Sequence, residues 1–346
     1  MWSRCFKTIV LWMAILPLSL ASQDKPVLPD KPPAPIRVDV ELVSMNIVVS
    51  DSSGRYLSGL TKDNFRVTED GIKQEITNFS PIDRPFDVVL ALDTSGSMKE
   101  RLGRIQEESI RFVDLLHPDD EVAVISFDDE VRMENDFSMD RRRILRGIKS
   151  TRTGESTQVY EAVYIALDQL LRPRQGRKAM VLFSDGVDTA SRDTSQKDTT
   201  RLAEESDTII YPINFNTRYD MVRSGGFGGR RPGVTVAPGV TIPMPGPTMS
   251  GGGGLPGSNV DTEYRAARAY LEKLADVSGG RVVDADTIED LGPAFAQVAD
   301  DLRHQYSLGY VSSNPKRDGK FRKVKITLDK PGAVIRARKG YYAPKS

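Results

Sequence analysis

Three oxygen-bearing side chains at the end of one apolar run are the group in this sequence best suited to chemistry. Residues 88–92 are apolar throughout and lead directly to Asp93, Ser95 and Ser97. An apolar run that ends in an oxygen-rich turn is typical of a buried strand carrying polar groups at its carboxyl end. Oxygen ligands suit a hard cation such as Mg²⁺, which prefers octahedral geometry at ~2.0–2.1 Å. Since hydroxyls are neutral, a cation held there would still attract an anionic oxygen from outside.

The Asp93-x-Ser95-x-Ser97 pattern resembles the metal-ion-dependent adhesion site of von Willebrand factor A domains. Two further residues occur in the order of that family: Thr157 precedes a predicted helix, and Asp185 ends a predicted strand. The resemblance implies that the two serines and the threonine bind the metal directly, while the aspartates act mostly through water. It implies Mg²⁺ as the cofactor, with Mn²⁺ and Ca²⁺ as alternatives.

The segment around Thr157 departs from the usual family pattern. Glu155 and Ser156 stand where Gly-Gly is usual, so either Ser156 or Thr157 supplies the oxygen. The register of residues 160–163 favours Thr157. Serine and aspartate also cap helices, so the first motif alone is compatible with a metal-free capping turn. The added threonine and aspartate favour a metal site.

Strand-like and helix-like patterns alternate through residues 85–304. Strands are predicted at 121–127, 131–137, 179–183, 208–215 and 280–283, and apolar-striped helices at 102–116, 159–171, 200–205, 264–277 and 288–304. Such alternation predicts an α/β fold: a doubly wound, mostly parallel, Rossmann-like sheet covered on both faces. Ligands of such sheets bind beyond the carboxyl ends of the strands, where Asp93 and Asp185 are expected.

Two β-rich segments flank this α/β region. Residues 36–82 predict about four strands, and residues 305–346 predict three, with turns at Asn314-Pro315 and Pro331-Gly332. Neither segment has enough strands to bury an apolar face alone, so together they predict one small β-sandwich with the α/β domain inserted in it. This arrangement, with Gly340-Tyr341-Tyr342 near the end, resembles exported von Willebrand A-related proteins common in Acidobacteria.

One stretch inside the α/β region lacks periodicity. Residues 217–261 are rich in glycine and proline and are predicted to form an irregular surface insertion. The alternative is a flexible binding arm near the metal edge, because the stretch follows the strand after Asp185.

The first residues predict export. Residues 1–21 combine a basic start, an apolar run of roughly ten residues and a small-residue end, which is typical of a signal peptide. Such a run is too short for a membrane span, which needs ~20 residues. Residues 22–35 hold five prolines and predict an extended tether. The expected location is the periplasm, the cell surface or the medium.

The amino-acid composition bears on the stability of the chain and on the classes of partner that it could bind. The only cysteine, Cys5, lies in the predicted signal peptide, so disulfides are not expected to stabilise the mature chain. With 48 basic and 48 acidic residues, no global field would attract nucleic acid or anionic lipid.

The function predicted from these observations is binding rather than catalysis. A protein ligand presenting an acidic side chain would complete the metal shell, and the alternative is a metal-free structural scaffold in the cell envelope. A metallohydrolase is disfavoured because Ser95 stands where a general-acid aspartate is needed. A serine hydrolase lacks the G-x-S-x-G turn, and the chain has only two histidines. The sequence specifies neither the partner nor the oligomeric state.

Overall fold

A computed structural model describes residues 42–81, 85–215, 233–237, 240–243 and 257–345. The predicted signal peptide, the tether and most of the glycine-rich stretch lie outside these residues. No helix in the described part of the chain is long and apolar enough to cross a membrane.

A six-stranded sheet forms the centre of the α/β region. Its strands are β5 (Phe86–Asp93), β6 (Glu121–Phe127), β7 (Val131–Ser138), β8 (Arg177–Ser184), β9 (Ile209–Phe215) and β12 (Val283–Ala285), in the order β12-β9-β8-β5-β6-β7. All neighbours are parallel except β6 and β7, so β7 is an antiparallel edge strand. The strand order reverses at β5, which has β6 on one side and β8 on the other. The predicted fold class is confirmed.

Helices cover both faces of this sheet. They are α1 (Leu102–Leu115), α2 (Arg141–Ser150), α3 (Val159–Tyr164), α4 (Gln196–Glu205), α5 (Gly257–Ser278) and α6 (Leu291–Arg303). Successive side chains of β5 point to opposite faces. Leu90 and Leu92 therefore lie in the core under α1 and α6, and Val89 and Ala91 in the core under α3 and α5.

The flanking segments combine in two four-stranded antiparallel sheets. These contain β1 (Leu42–Ser50), β2 (Phe65–Glu69), β3 (Ile72–Gln74), β4 (Ile76–Pro81), β13 (Gln305–Val311), β14 (Phe321–Leu328), β15 (Val334–Arg336) and β16 (Gly340–Tyr342). The strand orders are β15-β1-β13-β4 and β16-β14-β2-β3, so each sheet mixes strands from both ends of the chain. Met45, Val67 and Leu308 belong to the apolar core that the two sheets share. The two segments thus bury together an apolar core that neither would bury alone.

Several boundaries differ from the sequence predictions. A strand was expected at 280–283, but β12 begins at Val283, because Gly280 passes so close to β9 that an added Cβ would lie 1.9 Å from the carbonyl oxygen of Ile210. The predicted helix 159–171 continues beyond α3 as a π-helical segment, Ile165–Leu171. The C-terminal region has a fourth strand, β16, which pairs with β14.

The glycine-rich stretch contains regular structure where none was expected. The short strands β10 (Gly233–Ala237) and β11 (Val240–Pro243) form an antiparallel pair. Helix α5 begins at Gly257, seven residues earlier than predicted. Backbone pairing between two short strands needs no long-range periodicity, so the sequence pattern did not reveal it.

Candidate metal centre

Asp93 and Asp185 lie on neighbouring strands at the point where the strand order reverses. β5 and β8 are paired in parallel through Leu92 and Phe183, which places Asp93 next to Ser184 at the carboxyl edge. Ser184 donates its hydroxyl hydrogen to Asp93 Oδ2 at 2.7 Å. Open α/β sheets bind their ligands at such an edge. The position predicted for the site is therefore formed by strand topology.

The turn after Asp93 arranges both serines. The backbone N–H of Ser95 donates to Asp93 Oδ1 at 3.0 Å, and the hydroxyl oxygens of Ser95 and Ser97 are 3.1 Å apart. Ser95 is buried, while Ser97, in the short 3₁₀ helix Gly96–Arg101, is half-buried. The two hydroxyls converge as the alternating pattern predicted.

The loop that carries Thr157 lies against this turn. Gly154 donates its backbone N–H to the Thr94 carbonyl at 3.0 Å, and a Cβ added at Gly96 would lie 3.2 Å from the Glu155 carbonyl oxygen. Thr157 is itself buried. The loop that carries Thr157 therefore contacts the turn that carries the two serines.

A third loop, which follows Asp185, contacts the loop that carries Thr157. The Thr157 backbone N–H donates to the Thr189 hydroxyl at 2.9 Å, and its carbonyl accepts from Thr189 N at 3.0 Å. Asp185 is buried and accepts from the backbone N–H of Val187 at 3.0 Å. All five predicted residues thus lie at one edge of the sheet, where the Thr157 loop contacts both the serine turn and the loop after Asp185.

Ser156 has a different partner. Its hydroxyl donates to Asp129 Oδ1 at 2.5 Å, and its backbone N–H donates to the same oxygen at 2.9 Å. Asp129 also accepts from the backbone N–H of Glu155, and these hydrogen bonds, the one from the Ser156 hydroxyl first, hold its pKa below the usual range. Because the Ser156 hydroxyl is engaged in this loop contact, the geometry favours Thr157 as the oxygen donor.

Asp93 has an electrostatic environment that opposes its ionisation. The side chain is fully buried, and burial together with the negative charge of Asp185 raises the pKa of Asp93 to about 7. Hydrogen bonds from Ser95 and Ser184 oppose that increase. Among the described residues no arginine or lysine forms an ion pair with Asp93. A bound cation would neutralise this buried charge.

The donor set at this edge fits a hard cation. The described residues contain no group of three or more His, Cys, Asp and Glu side chains that could hold a metal. The predicted residues at this edge are two aspartates and three hydroxyl-bearing side chains, Asp93, Asp185, Ser95, Ser97 and Thr157. Oxygen-only ligands with few carboxylates match Mg²⁺ or Mn²⁺ better than metals that prefer nitrogen or sulfur.

Sequence reasoning missed four residues that support the site. Ser184 orients Asp93, and Thr94 donates its hydroxyl hydrogen to Asp128 Oδ2 at 2.9 Å. Asp188 accepts from the backbone N–H of Tyr160 at the start of α3, which fixes the end of the Thr157 loop. Asp128 follows β6 at the same carboxyl edge, and this placement after a predicted strand was the available sequence signal.

The family comparison agrees with the predicted resemblance. Residues 88–187 match the family model described as von Willebrand factor type A domain, and all five predicted site residues fall within this match. The resemblance predicted from the sequence is confirmed for this region. A search of curated proteins found no match.

Solved structures show distant likeness. Proximal thread matrix protein 1 from the mussel byssus is 15% identical over 65% of this chain, with a TM-score of 0.44, and this chain spans 50% of it. BatB from Bacteroides thetaiotaomicron is 16% identical over 62% of this chain and 98% of its own, with a TM-score of 0.40. The pilus adhesin SpaC from Lactobacillus rhamnosus GG is 12% identical over 85% of this chain and 49% of its own, with a TM-score of 0.44.

Proposed function

We propose that this von Willebrand factor type A domain holds a divalent cation between β5 and β8. We further propose that the exported chain uses this cation to bind an acidic side chain of a partner protein. The observation that supports the proposal best is the fully buried Asp93, which faces the charge of Asp185 and forms no ion pair among the described residues. Two like charges on buried side chains are unfavourable unless a cation compensates them.

The five residues would contribute to cation binding in two ways, as neutral ligands that position the ion and as negative charges that attract it. Ser95, Ser97 and Thr157 would supply neutral hydroxyl oxygens, and Asp93 and Asp185 would supply negative charge. Mg²⁺ is the proposed cation, with Mn²⁺ and Ca²⁺ as alternatives. When bound, the cation supplies attraction for a carboxylate oxygen of the partner. This attraction is stronger beside buried side chains than it would be in bulk solvent.

The same residues support binding rather than hydrolysis. A serine nucleophile needs a base within hydrogen-bond reach. Among the described residues neither histidine bonds to Ser95 or Ser97: His117 lies near Asp119, and His304 stacks on Tyr56 with ring centroids 4.4 Å apart.

Proton relaxation with Mn²⁺ tests whether the metal shell is open to a carboxylate. Water on a protein-bound Mn²⁺ accelerates the relaxation of bulk water protons, and a carboxylate that replaces this water lowers the effect. Excess acetate should lower the relaxation rate of the Mn²⁺-loaded chain, whereas the neutral analogue acetamide should leave it unchanged. Mn²⁺ binding that acetate does not affect would contradict an open shell.

Asp93→Ala separates the adhesion-type function from the scaffold alternative. The substitution should abolish Mn²⁺ binding and leave the fold intact, because the site lies at the rim of the sheet. Circular dichroism and thermal unfolding check the fold. If neither the unaltered chain nor the variant binds Mn²⁺, the scaffold reading replaces the proposed function.

A further inference from the structure

The C-terminal β segment carries charge very differently from the α/β domain. Residues 305–345 contain eleven lysines and arginines against two aspartates, whereas residues 85–304 contain 27 basic and 36 acidic side chains. The neutral total of the chain therefore combines a basic C-terminal β segment with an acidic α/β domain. A local surface of one sign attracts ligands of the opposite sign even when the net charge is zero.

Three basic side chains lie on the outward face of the sheet β16-β14-β2-β3. Alternation along β14 buries Val324 and exposes Lys323 and Lys325. Lys325 is paired with Thr68 of β2, which is paired in turn with Lys73 of β3. Strand spacing places Lys325 and Lys73 ~10 Å apart at their Cα atoms, and Lys323 and Lys325 ~7 Å apart. The three lysines therefore form an L-shaped row on one flat face of the sheet.

The positive charges of these three lysines are not neutralised by an acidic partner among the described residues. None of them forms an ion pair among the described residues, whereas nearby Arg66 is paired with Asp329. Asp70 accepts from the backbone N–H of Lys323 at 2.9 Å rather than from its ammonium group. The face consequently presents three exposed positive groups to solvent.

An aromatic cleft adjoins this row. Phe321, which is 41% exposed, makes an edge-to-face contact with Tyr342 at a centroid distance of 5.2 Å. Both rings and Lys323 line a cleft of about 480 Å³ between the sandwich and α4 and α5. The carboxylates of Glu204 and Asp276 also line it, each within ion-pair distance of a lysine, Lys273 at 3.1 Å and Lys339 at 2.5 Å.

We propose that this face and its cleft bind an acidic polysaccharide. The exposed ring of Phe321 offers an apolar platform for a sugar ring, and the paired carboxylates and ammonium groups in the cleft can hydrogen-bond to sugar hydroxyls. The lysine row then matches carboxylates repeated along the polymer. An anionic membrane would need only the flat charged face, so the cleft with its aromatic wall favours a chain-like sugar ligand.

This surface is separate from the proposed metal centre. The sandwich joins the α/β domain where β5 begins, whereas Asp93 ends that eight-residue strand. Eight residues of strand span ~26 Å. Metal binding and polysaccharide binding can therefore be tested independently of one another.

Binding to polygalacturonate tests the proposal. The full chain, kept in chelator so that the metal centre cannot bind carboxylates, should bind polygalacturonate and not neutral dextran. The triple variant Lys73→Ala/Lys323→Ala/Lys325→Ala should bind at least ~10-fold more weakly in low salt. Phe321→Ala should also weaken binding several-fold, although it leaves the charge unchanged.

A matched charge control is available. Lys62, Lys149 and Lys197 are exposed and form no ion pair among the described residues, so Lys62→Ala/Lys149→Ala/Lys197→Ala removes the same charge elsewhere. This control should bind like the unaltered chain. Equal losses in both triple variants, no binding of polygalacturonate, or binding to phosphatidylglycerol vesicles instead of the polymer would each overturn the proposal.

Discussion

Asp93 lies in surroundings that are unfavourable for its charge. Burial first, and the charge of Asp185 second, raise its pKa to about 7, whereas an unperturbed aspartate titrates near ~3.9. A carboxyl whose pKa is higher in the folded state than in the unfolded state binds its proton more tightly when folded. Its contribution to stability is therefore complete below ~3.9 and is lost as the pH rises through the folded pKa.

Asp93→Asn should remove this pH dependence. In chelator, the unaltered chain should lose thermal stability between pH 5 and pH 8, and the variant should lose less, because its amide has no charge to bury. Thermal unfolding monitored by circular dichroism at several pH values measures the difference. Asp193→Asn, at an exposed position, is the control and should follow the unaltered chain. Identical pH profiles for all three would contradict the account of Asp93.

The choice between Thr157 and Ser156 can also be decided at this scale. Thr157→Val keeps the shape of the side chain and removes its hydroxyl, so Mg²⁺ affinity should fall by an order of magnitude or more. Ser156→Ala should change the affinity only slightly, because its hydroxyl bonds to Asp129. Isothermal titration of both variants measures the two effects. A larger loss from Ser156→Ala would reverse the assignment.

Among the elements, the loop after β8 depends on a glycine. Gly186 has a φ of +79°, and an added Cβ would lie 2.9 Å from Leu271 Cγ of α5. Gly176 has a φ of +97° with nothing within 4 Å of an added Cβ. The two positions therefore share backbone strain and differ in packing.

Gly186→Ala should accordingly destabilise the fold more than Gly176→Ala. Left-handed strain costs roughly 1–2 kcal/mol in both, and the contact with Leu271 adds about 1–3 kcal/mol at Gly186 only. Denaturant unfolding measures the two losses. Gly186→Ala should also weaken Mg²⁺ binding, since Asp185 immediately precedes the altered turn. Equal losses of stability would show that the helix yields to the added methyl group.

The sequence predicted elements better than it predicted loop contacts. Apolar runs such as residues 88–92 identify buried strands because burial on both faces requires them, and the pattern at Asp93, Ser95 and Ser97 can be read from spacing alone. The bond between Ser156 and Asp129 depends on two loops that are distant in sequence, and so does the support that Ser184 gives to Asp93. The delayed start of β12 follows from a backbone approach at Gly280, which no periodicity encodes.

At the scale of the whole molecule, one buried carboxylate links the sandwich to the α/β domain. Asp301 of α6 is fully buried and pairs with Arg281 at 2.8 Å and with Arg336 of β15 at 2.9 Å. Tyr56, between β1 and β2, donates its hydroxyl hydrogen to the same carboxylate at 2.5 Å. Segments from both ends of the chain thus depend on one side chain of the inserted domain.

Asp301→Asn should therefore destabilise the entire molecule. Two partly buried guanidinium groups would lose their counter-charge, and breaking a buried ion pair typically costs about 3–5 kcal/mol. Thermal unfolding should remain a single transition at a lower temperature. Asp329→Asn, which breaks an exposed pair with Arg66, is the control and should have little effect. Two separate transitions in Asp301→Asn would instead show that the sandwich and the α/β domain unfold independently.

Calorimetric titration with Mg²⁺ tests the central claim, a cation site formed by Asp93, Ser95, Ser97, Thr157 and Asp185. The chain should first be stripped with chelator and then titrated beside the Ser95→Ala/Ser97→Ala variant, with Mn²⁺ as a second metal. We expect saturable binding of one ion to the unaltered chain and its loss in the variant. Equal binding by both proteins, or no binding of either metal to the unaltered chain, would contradict it.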